Sequence, residues 1–125
     1  LGVPGPLGRT RLLEALSFIS TEVHRSFKPM WHGGSEAEKA KASAEISELL
    51  GYLSDRLQGG YLFGPTPSVA DFYLFVMLLW AERVAVSIPA PLMLLRHHMA
   101  RRPAVQAAMR QEGLVPDVAS QTHVA

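Results

Sequence analysis

The chain has 125 residues, 48% of them hydrophobic and 18% charged, with a formal net charge of +1 and no cysteine. That length suits one domain with a substantial core, since a chain of this size buries roughly two-thirds of its unfolded surface. The near-neutral charge supplies no global field for nucleic acid or acidic membranes, and the lack of cysteine excludes disulfides, thiolate metal sites and a thiol nucleophile within the chain. It also fits a cytoplasmic protein without requiring one.

The opening stretch "LGVPGPLG", residues 1–8, reads as a linker-like segment. It has no charged region leading into an apolar one, so no signal peptide is expected. Because the chain opens on Leu1 with no starting methionine, it is expected to be a piece of a longer protein. From Arg9 to Lys28, the residues Leu12, Leu16, Ile19, Val23 and Phe27 repeat at 4-3-4-4 spacing and predict one helical stripe. Pro29 is expected to end this helix, because the residue before a proline is pushed out of the helical region. Met30 to Gly34 reads as a loop.

Ser35-Glu36-Ala37-Glu38 has the form of a capping box. The helix it opens is expected to reach about Gln58 on the stripe Ala42, Ile46, Leu49, Leu53 and Leu57, and to stop at Gly59-Gly60. After a turn-rich connection, "TPSVADFYLF" places Ser68 and Asp71 at the N-cap and third positions of a helix running to about Val86. There the serine hydroxyl is expected to accept from the Asp71 amide and the carboxylate from the Ser68 amide. A catalytic Asp71 would need a base or nucleophile beside it, and none is in sequence reach, so the pair reads as architecture. Phe72 to Ala81 is apolar for ten residues. A membrane span takes about 20, so this run predicts a buried central helix and no membrane segment. Pro89 and Pro91 introduce a further helix ending near Arg102, with Leu92, Leu95 and Met99 inward. Pro103 opens a last helix, with Val105, Ala108 and Met109 inward, that ends at Gly113. Residues 115–125 read as a loose tail. The expected fold is all-α, five or six helices around the Ser68 helix.

The residues alone leave the chemistry open. His24 sits on the polar face of an amphipathic helix, Arg25 is a solvated charge, and Glu22 and Arg25 at i, i+3 suit a surface pair. Phe27 and Trp80 suit a core as well as a ligand wall. The basic cluster Arg96, His97, His98, Arg101 and Arg102 lies where a helix C-terminus favours cations, and with no groove-reading motif it does not indicate nucleic-acid binding. No H-E-x-x-H-type spacing is present, so no metal site is expected.

The segment "FGPTPSVAD", which leads into the central helix with Ser-x-x-Asp after a glycine-containing turn, resembles the N-capping box of the core helix in the C-terminal domain of glutathione S-transferases. "TEVHRSFKPMW", "LLWAERV" and "RRPAVQAAMRQEGL" resemble, in order, the end of that domain's first helix in the bacterial beta class, the later half of its core helix and its closing segment. The likeness covers Thr10 to Leu114 and implies a helical domain over residues 9–114. Such a domain supplies the electrophile pocket and dimer surface for glutathione conjugation, with glutathione as co-substrate. The resemblance further implies a thiol-activating, thioredoxin-like N-terminal domain as a partner, outside this chain, and a homodimer. Without that domain the chain is expected to be inactive. Residue by residue, the likeness assigns Glu22, His24 and Arg25 to glutathione contacts. It assigns Phe27, Pro29, Met30, Trp31 and Trp80 to the pocket for a small hydrophobic electrophile. Ser17 stands where similar enzymes often have an asparagine, so that contact is not carried over. The other reading of the same fold is a non-catalytic helical protein-interaction module.

Overall fold

The computed structural model describes residues 5–112. Helix α1 spans Gly5–Phe18 and runs directly into a π-helical turn, Ile19–His24. Four helices of regular length or less follow α1 and the short α2 (Lys28–Trp31): α3 (Glu36–Ser54), α4 (Val69–Arg83), α5 (Ala90–Ala100) and α6 (Pro103–Glu112). Among the described residues the only extended pairings are isolated bridges, Gln58 with Tyr61 and Tyr61 with Gly64. The architecture is all-α, as expected, with α4 at its centre.

Helix α4 packs against α1, the π-helical turn and α5, while α3 covers α2, the π-turn and α5, and α6 leans on α5. Its residues Leu74, Phe75, Met77, Leu78 and Ala81 are buried on more than one side. Burying side chains of this kind is worth about 1.5–3 kcal/mol each, which makes α4 the largest single contributor to the core. The stripe expected before Pro29 also points inward: Ile19, Val23 and Phe27 are fully buried, and Leu12 and Leu16 pack against them. In α3 the buried set is Ala42, Ile46, Leu50 and Leu53, with Leu49 and Leu57 only partly covered.

Several boundaries differ from the sequence expectation, each for a local reason. Of the segment 1–8, residues 5–8 are the first turn of α1, and residues 1–4 lie outside the described residues. The helix expected over 9–28 is not uniform. In an α-helix each step of four residues overshoots the face by about 40°, so Ile19, Val23 and Phe27 would drift off one line. The wider π-turn over Ile19–His24 takes up that drift. The break comes at Phe27, and Pro29 does not end a helix: it sits in the first turn of α2, where its missing N–H costs nothing. Gly33, with φ of +73°, then turns the chain, and at Gly34 a β-carbon would meet the Pro29 carbonyl oxygen at 2.8 Å. Helix α3 stops at Ser54, short of Gln58, so Gly59 and Gly60 serve the loop that follows. The expected tail over 115–125 and the end of the last helix at Gly113 lie outside the described residues.

Helix α4 ends at Arg83, not Val86. The Val86 amide donates to the Ala81 carbonyl at 2.9 Å and the Ala85 amide to that of Glu82 at 3.2 Å. This is a Schellman closure with Ala85 at φ of +59°, where glycine is the usual occupant. Arg96 of α5 clasps Glu82 at this end. Its Nη2 donates to Oε1 at 3.0 Å, and its Nε lies 2.9 Å from Oε2 at a poor hydrogen-bond angle, held by charge. An ion pair this exposed contributes at most about 1 kcal/mol.

Both capping boxes form. The α3 box is exposed: the Ser35 amide donates to Glu38 Oε1 at 2.8 Å and the Glu38 amide to Ser35 Oγ at 3.1 Å. The Ser35 backbone amide, and secondarily its hydroxyl, hold the Glu38 carboxyl below the usual glutamate range. The box therefore supports α3 above the ordinary glutamate pKa and weakens as pH falls through the lowered one. The α4 box is buried, with Ser68 at 2% exposure and Asp71 at 0%. Asp71 Oδ2 accepts from the Ser68 amide and from the Ser68 hydroxyl, each at 2.8 Å, and Oδ1 accepts from the Leu62 amide at 2.9 Å. The serine hydroxyl thus donates to the carboxylate, while the Asp71 amide bonds to the Ser68 carbonyl at 3.1 Å. The expected box is present, and the hydroxyl in addition donates to the carboxylate, a strong charged acceptor.

Asp71→Ala strands the Leu62 and Ser68 amides away from water. At about 1–3 kcal/mol for each orphaned group the expected loss is roughly 3–5 kcal/mol, against about 1 for Ser68→Ala. Urea unfolding followed by far-UV circular dichroism gives the order, with Asp71→Asn in between. At the other end of α4, Ala85→Gly relieves a left-handed alanine at the expense of a freer unfolded chain. It should raise stability by about 0.5–1 kcal/mol in the same assay.

Candidate functional site

Three neighbouring segments bring aromatic rings to one place. The π-turn supplies His24, the bend and α2 supply Phe27 and Trp31, and α4 supplies Trp80. The Trp80 ring is the hub. It meets His24 edge-to-face at 4.9 Å between centroids, Phe27 at 5.5 Å and Trp31 at 5.6 Å. Phe27 and Trp31 stack at 6.3 Å with planes 11° apart. Edge-to-face pairs of this kind add about 0.5–1.5 kcal/mol beyond the area they bury, so the rings hold one another in a fixed arrangement.

The sequence-predicted residues divide into groups. His24, Phe27, Trp31 and Trp80 come together. Phe27, expected at the mouth of a pocket, is instead fully buried and supports Trp31 and Trp80 from within. Trp31 keeps 40% of its surface exposed, and Pro29 and Met30 are half-buried beside it in sequence. Glu22 and Arg25 form an exposed i, i+3 ion pair, 3.9 Å apart. Ser68 and Asp71 hold the head of α4.

Sequence reasoning missed one member. The Tyr73 hydroxyl lies 2.7 Å from His24 Nδ1, and its ring stands edge-on to the imidazole at 6.0 Å. Tyr73 and Trp80 are seven residues apart, two turns of α4, and so share a face. That spacing was the available signal, a hydroxyl-bearing ring in line with a tryptophan inside an apolar run.

A cleft of about 620 Å³ lies elsewhere: between α1, the end of α3 and the following loop, lined by Arg11, Glu14, Phe18, Tyr52, Asp55 and Arg56 among others. None of the predicted glutathione or electrophile residues lines it. Its two cations and two acids offset one another, and the Arg56 guanidinium already rests 3.7 Å above the Tyr52 ring. Size alone does not make it the site, whereas the Trp80 cluster joins apolar rings to a group that can donate or accept a proton.

Fold and cluster together define an all-helical domain that presents stacked rings beside one exposed imidazole. Residues 36–111, more than half of the chain, match the family described as "Glutathione S-transferase, C-terminal domain". The chain belongs to this family and carries its helical C-terminal domain. It is 31% identical over 112 residues to the glutathione S-transferase GstA of Escherichia coli O157:H7, covering 86% of this chain and 56% of that protein. Among solved structures, a sphingomonad glutathione S-transferase in complex with glutathione superposes with a TM-score of 0.78 at 38% identity, covering 90% of this chain and 59% of that one. A bacterial beta-class enzyme from Sphingomonas chungbukensis gives 0.76 at 39%, over 89% of this chain and 57% of that one. The chain thus spans little more than half the length of these relatives. No helix among the described residues is long and apolar enough to cross a membrane.

The ring cluster depends on where α2 sits. Gly34→Ala sets a β-carbon against the Pro29 carbonyl and must displace α2, which carries Trp31 away from Trp80. The expected outcome is a loss of roughly 1–3 kcal/mol together with a weakened near-ultraviolet tryptophan band in circular dichroism.

Proposed function

We propose that this chain is the C-terminal half of a cytoplasmic glutathione transferase subunit, in which the Trp80 cluster forms one wall of the site for a small hydrophobic electrophile. The observation that carries the reading is the convergence of His24, Trp31, Tyr73 and Trp80 from three segments onto one partly exposed patch. Chemistry of this class delivers the glutathione sulfur to an electrophilic carbon. With no cysteine in the chain, thiol activation falls to a thioredoxin-like N-terminal domain, and two subunits pair as a homodimer.

Within that scheme the residues have separate tasks. Trp31, Trp80 and the flanking Pro29 and Met30 offer apolar surface to the electrophile, with Phe27 as their support. His24 offers a hydrogen bond toward the sulfur or the tripeptide. Arg25 and Glu22 contribute charge to glutathione, the cation favouring thiolate over thiol. A sphingomonad relative in complex with glutathione supports that choice of co-substrate.

The test joins this chain to the N-terminal domain of a bacterial glutathione S-transferase and measures conjugation of glutathione to a chloronitrobenzene. The chimera should be active and the chain alone inactive, with no saturable tight binding of glutathione to the chain by calorimetry. In the chimera, Trp80→Ala should raise KM for the electrophile about tenfold, a loss of about 1.4 kcal/mol. A folded, dimeric chimera without conjugating activity overturns the reading.

A further inference from the structure

We propose that Tyr73 is the positioning residue for His24: its phenol donates to Nδ1 and fixes the imidazole as the neutral tautomer that carries its hydrogen on Nε2. Its functional meaning rests on the transferase reading above, but the hydrogen bond and the tautomer stand or fall by themselves.

The contact is 2.7 Å long, in the range of a strong hydrogen bond with a hydroxyl partner. Either group can in principle donate, and relative acidity decides between them. A phenol, with an ordinary pKa of about 10, is a far stronger acid than a neutral imidazole N–H, and the bare imidazole nitrogen, whose conjugate acid has an ordinary pKa of about 6.5, is a far stronger base than a phenol oxygen. O–H···N therefore pairs the better donor with the better acceptor, and N–H···O pairs the poorer ones. Nδ1 is left bare and Nε2 bears the hydrogen.

The ring contacts explain why the phenol is needed. Trp80 and Tyr73 both meet the imidazole nearly perpendicular, at 82° and 86°, which fixes the plane of the His24 ring. A half-turn about the bond to the ring preserves that plane and exchanges Nδ1 with a carbon. Stacking thus cannot distinguish the two ring orientations, and the Tyr73 hydroxyl can, because only one of them places a nitrogen 2.7 Å away. The two partners also differ in how firmly they are held. His24 is exposed at the end of the π-turn, whereas Tyr73 is half-buried on α4, the most enclosed helix. The enclosed element fixes the exposed one, as a second group commonly does for a functional histidine. The result is a neutral donor of set direction at the edge of the ring cluster.

Two arms test this. On the chain itself, long-range proton–nitrogen NMR at alkaline pH reads the tautomer of each ring. His24 should show a bare, hydrogen-bonded Nδ1 and a protonated Nε2, and Tyr73→Phe, which keeps the ring but removes the donor, should move its Nδ1 resonance toward the averaged position of an exposed histidine. A protonated Nδ1 in the native chain, or a His24 spectrum indifferent to Tyr73→Phe, overturns the proposal. In the active chimera, Tyr73→Phe and His24→Ala should each lower kcat/KM about tenfold, and the double variant no further, since both remove one device. Additive losses overturn the positioning role even where the NMR result holds. Failure of the chimera to conjugate at all counts against the transferase reading, and the NMR arm still decides the hydrogen bond.

Discussion

The Asp71 carboxylate, fully buried at the head of α4, is the constraint on which the remaining structure depends. It is the one charged side chain among the described residues that is buried outright, and it takes hydrogen bonds from Leu62, the Ser68 amide and the Ser68 hydroxyl. Stripping a carboxylate of water costs several kcal/mol, and the bonds it gains are worth about 1.5–3 kcal/mol each, so the net gain is modest. What the arrangement supplies is selectivity. Any other placement of the 62–68 loop leaves a bare charge and two unpaired amides in the core. The same four-residue pattern at Ser35–Glu38 lies at the surface, where water can replace either partner, and there it trims a helix end and no more. Burial, not motif, separates the two.

A fixed start for α4 sets the positions of Tyr73 and Trp80, whose side chains leave the helix on one face two turns apart. The partner segment must meet them in register. The π-turn does this twice over: it keeps Ile19, Val23 and Phe27 aligned with the core, and it ends on His24, which reaches Tyr73 and Trp80. A helix under two demands, a buried stripe at steps of four and an exposed group aimed at a neighbour, satisfies both by widening one turn. The site is thus a by-product of how α1 continues into the core, with Phe27 as the residue common to packing and cluster.

Much of this was legible in the sequence, and the misses have physical causes. Both capping boxes, the central helix, Leu92, Leu95 and Met99 of α5 and Val105 and Met109 of α6 follow from pattern, because capping and amphipathic spacing are local, while Ala108, expected inward, is only half-buried. The π-turn was not legible: a 4-3-4-4 stripe is compatible with a plain α-helix, and only packing shows where the drift is absorbed. Pro29 signalled a break but not that it would sit inside the next helix. The stop at Arg83 depends on Ala85 taking a conformation that alanine disfavours, which no composition rule would select. Tyr73 stayed hidden for a different reason. An uninterrupted apolar run has no polar face, so periodicity cannot say which of its rings points to a site. The family resemblance supplied Trp80 and His24, and the structure supplied the link between them.

The division of labour inside the proposed site follows from the kinds of force its residues exert. Rings that present apolar area bind by an effect that is non-directional and scales with area, and such walls separate ligands differing by one methylene by only about 1–3 kcal/mol. A wall made of Trp31 and Trp80 therefore favours breadth of electrophile. Direction has to come from a hydrogen bond, and the cluster has one group placed to give it, His24, held in orientation by Tyr73. On the proposed reading, the apolar surface contributes area alone, whereas the imidazole has to keep both its plane and its tautomer. Accordingly, the exposed imidazole is tied to the most enclosed helix in the molecule, while Trp31, which carries only area, is left on a four-residue helix at the rim.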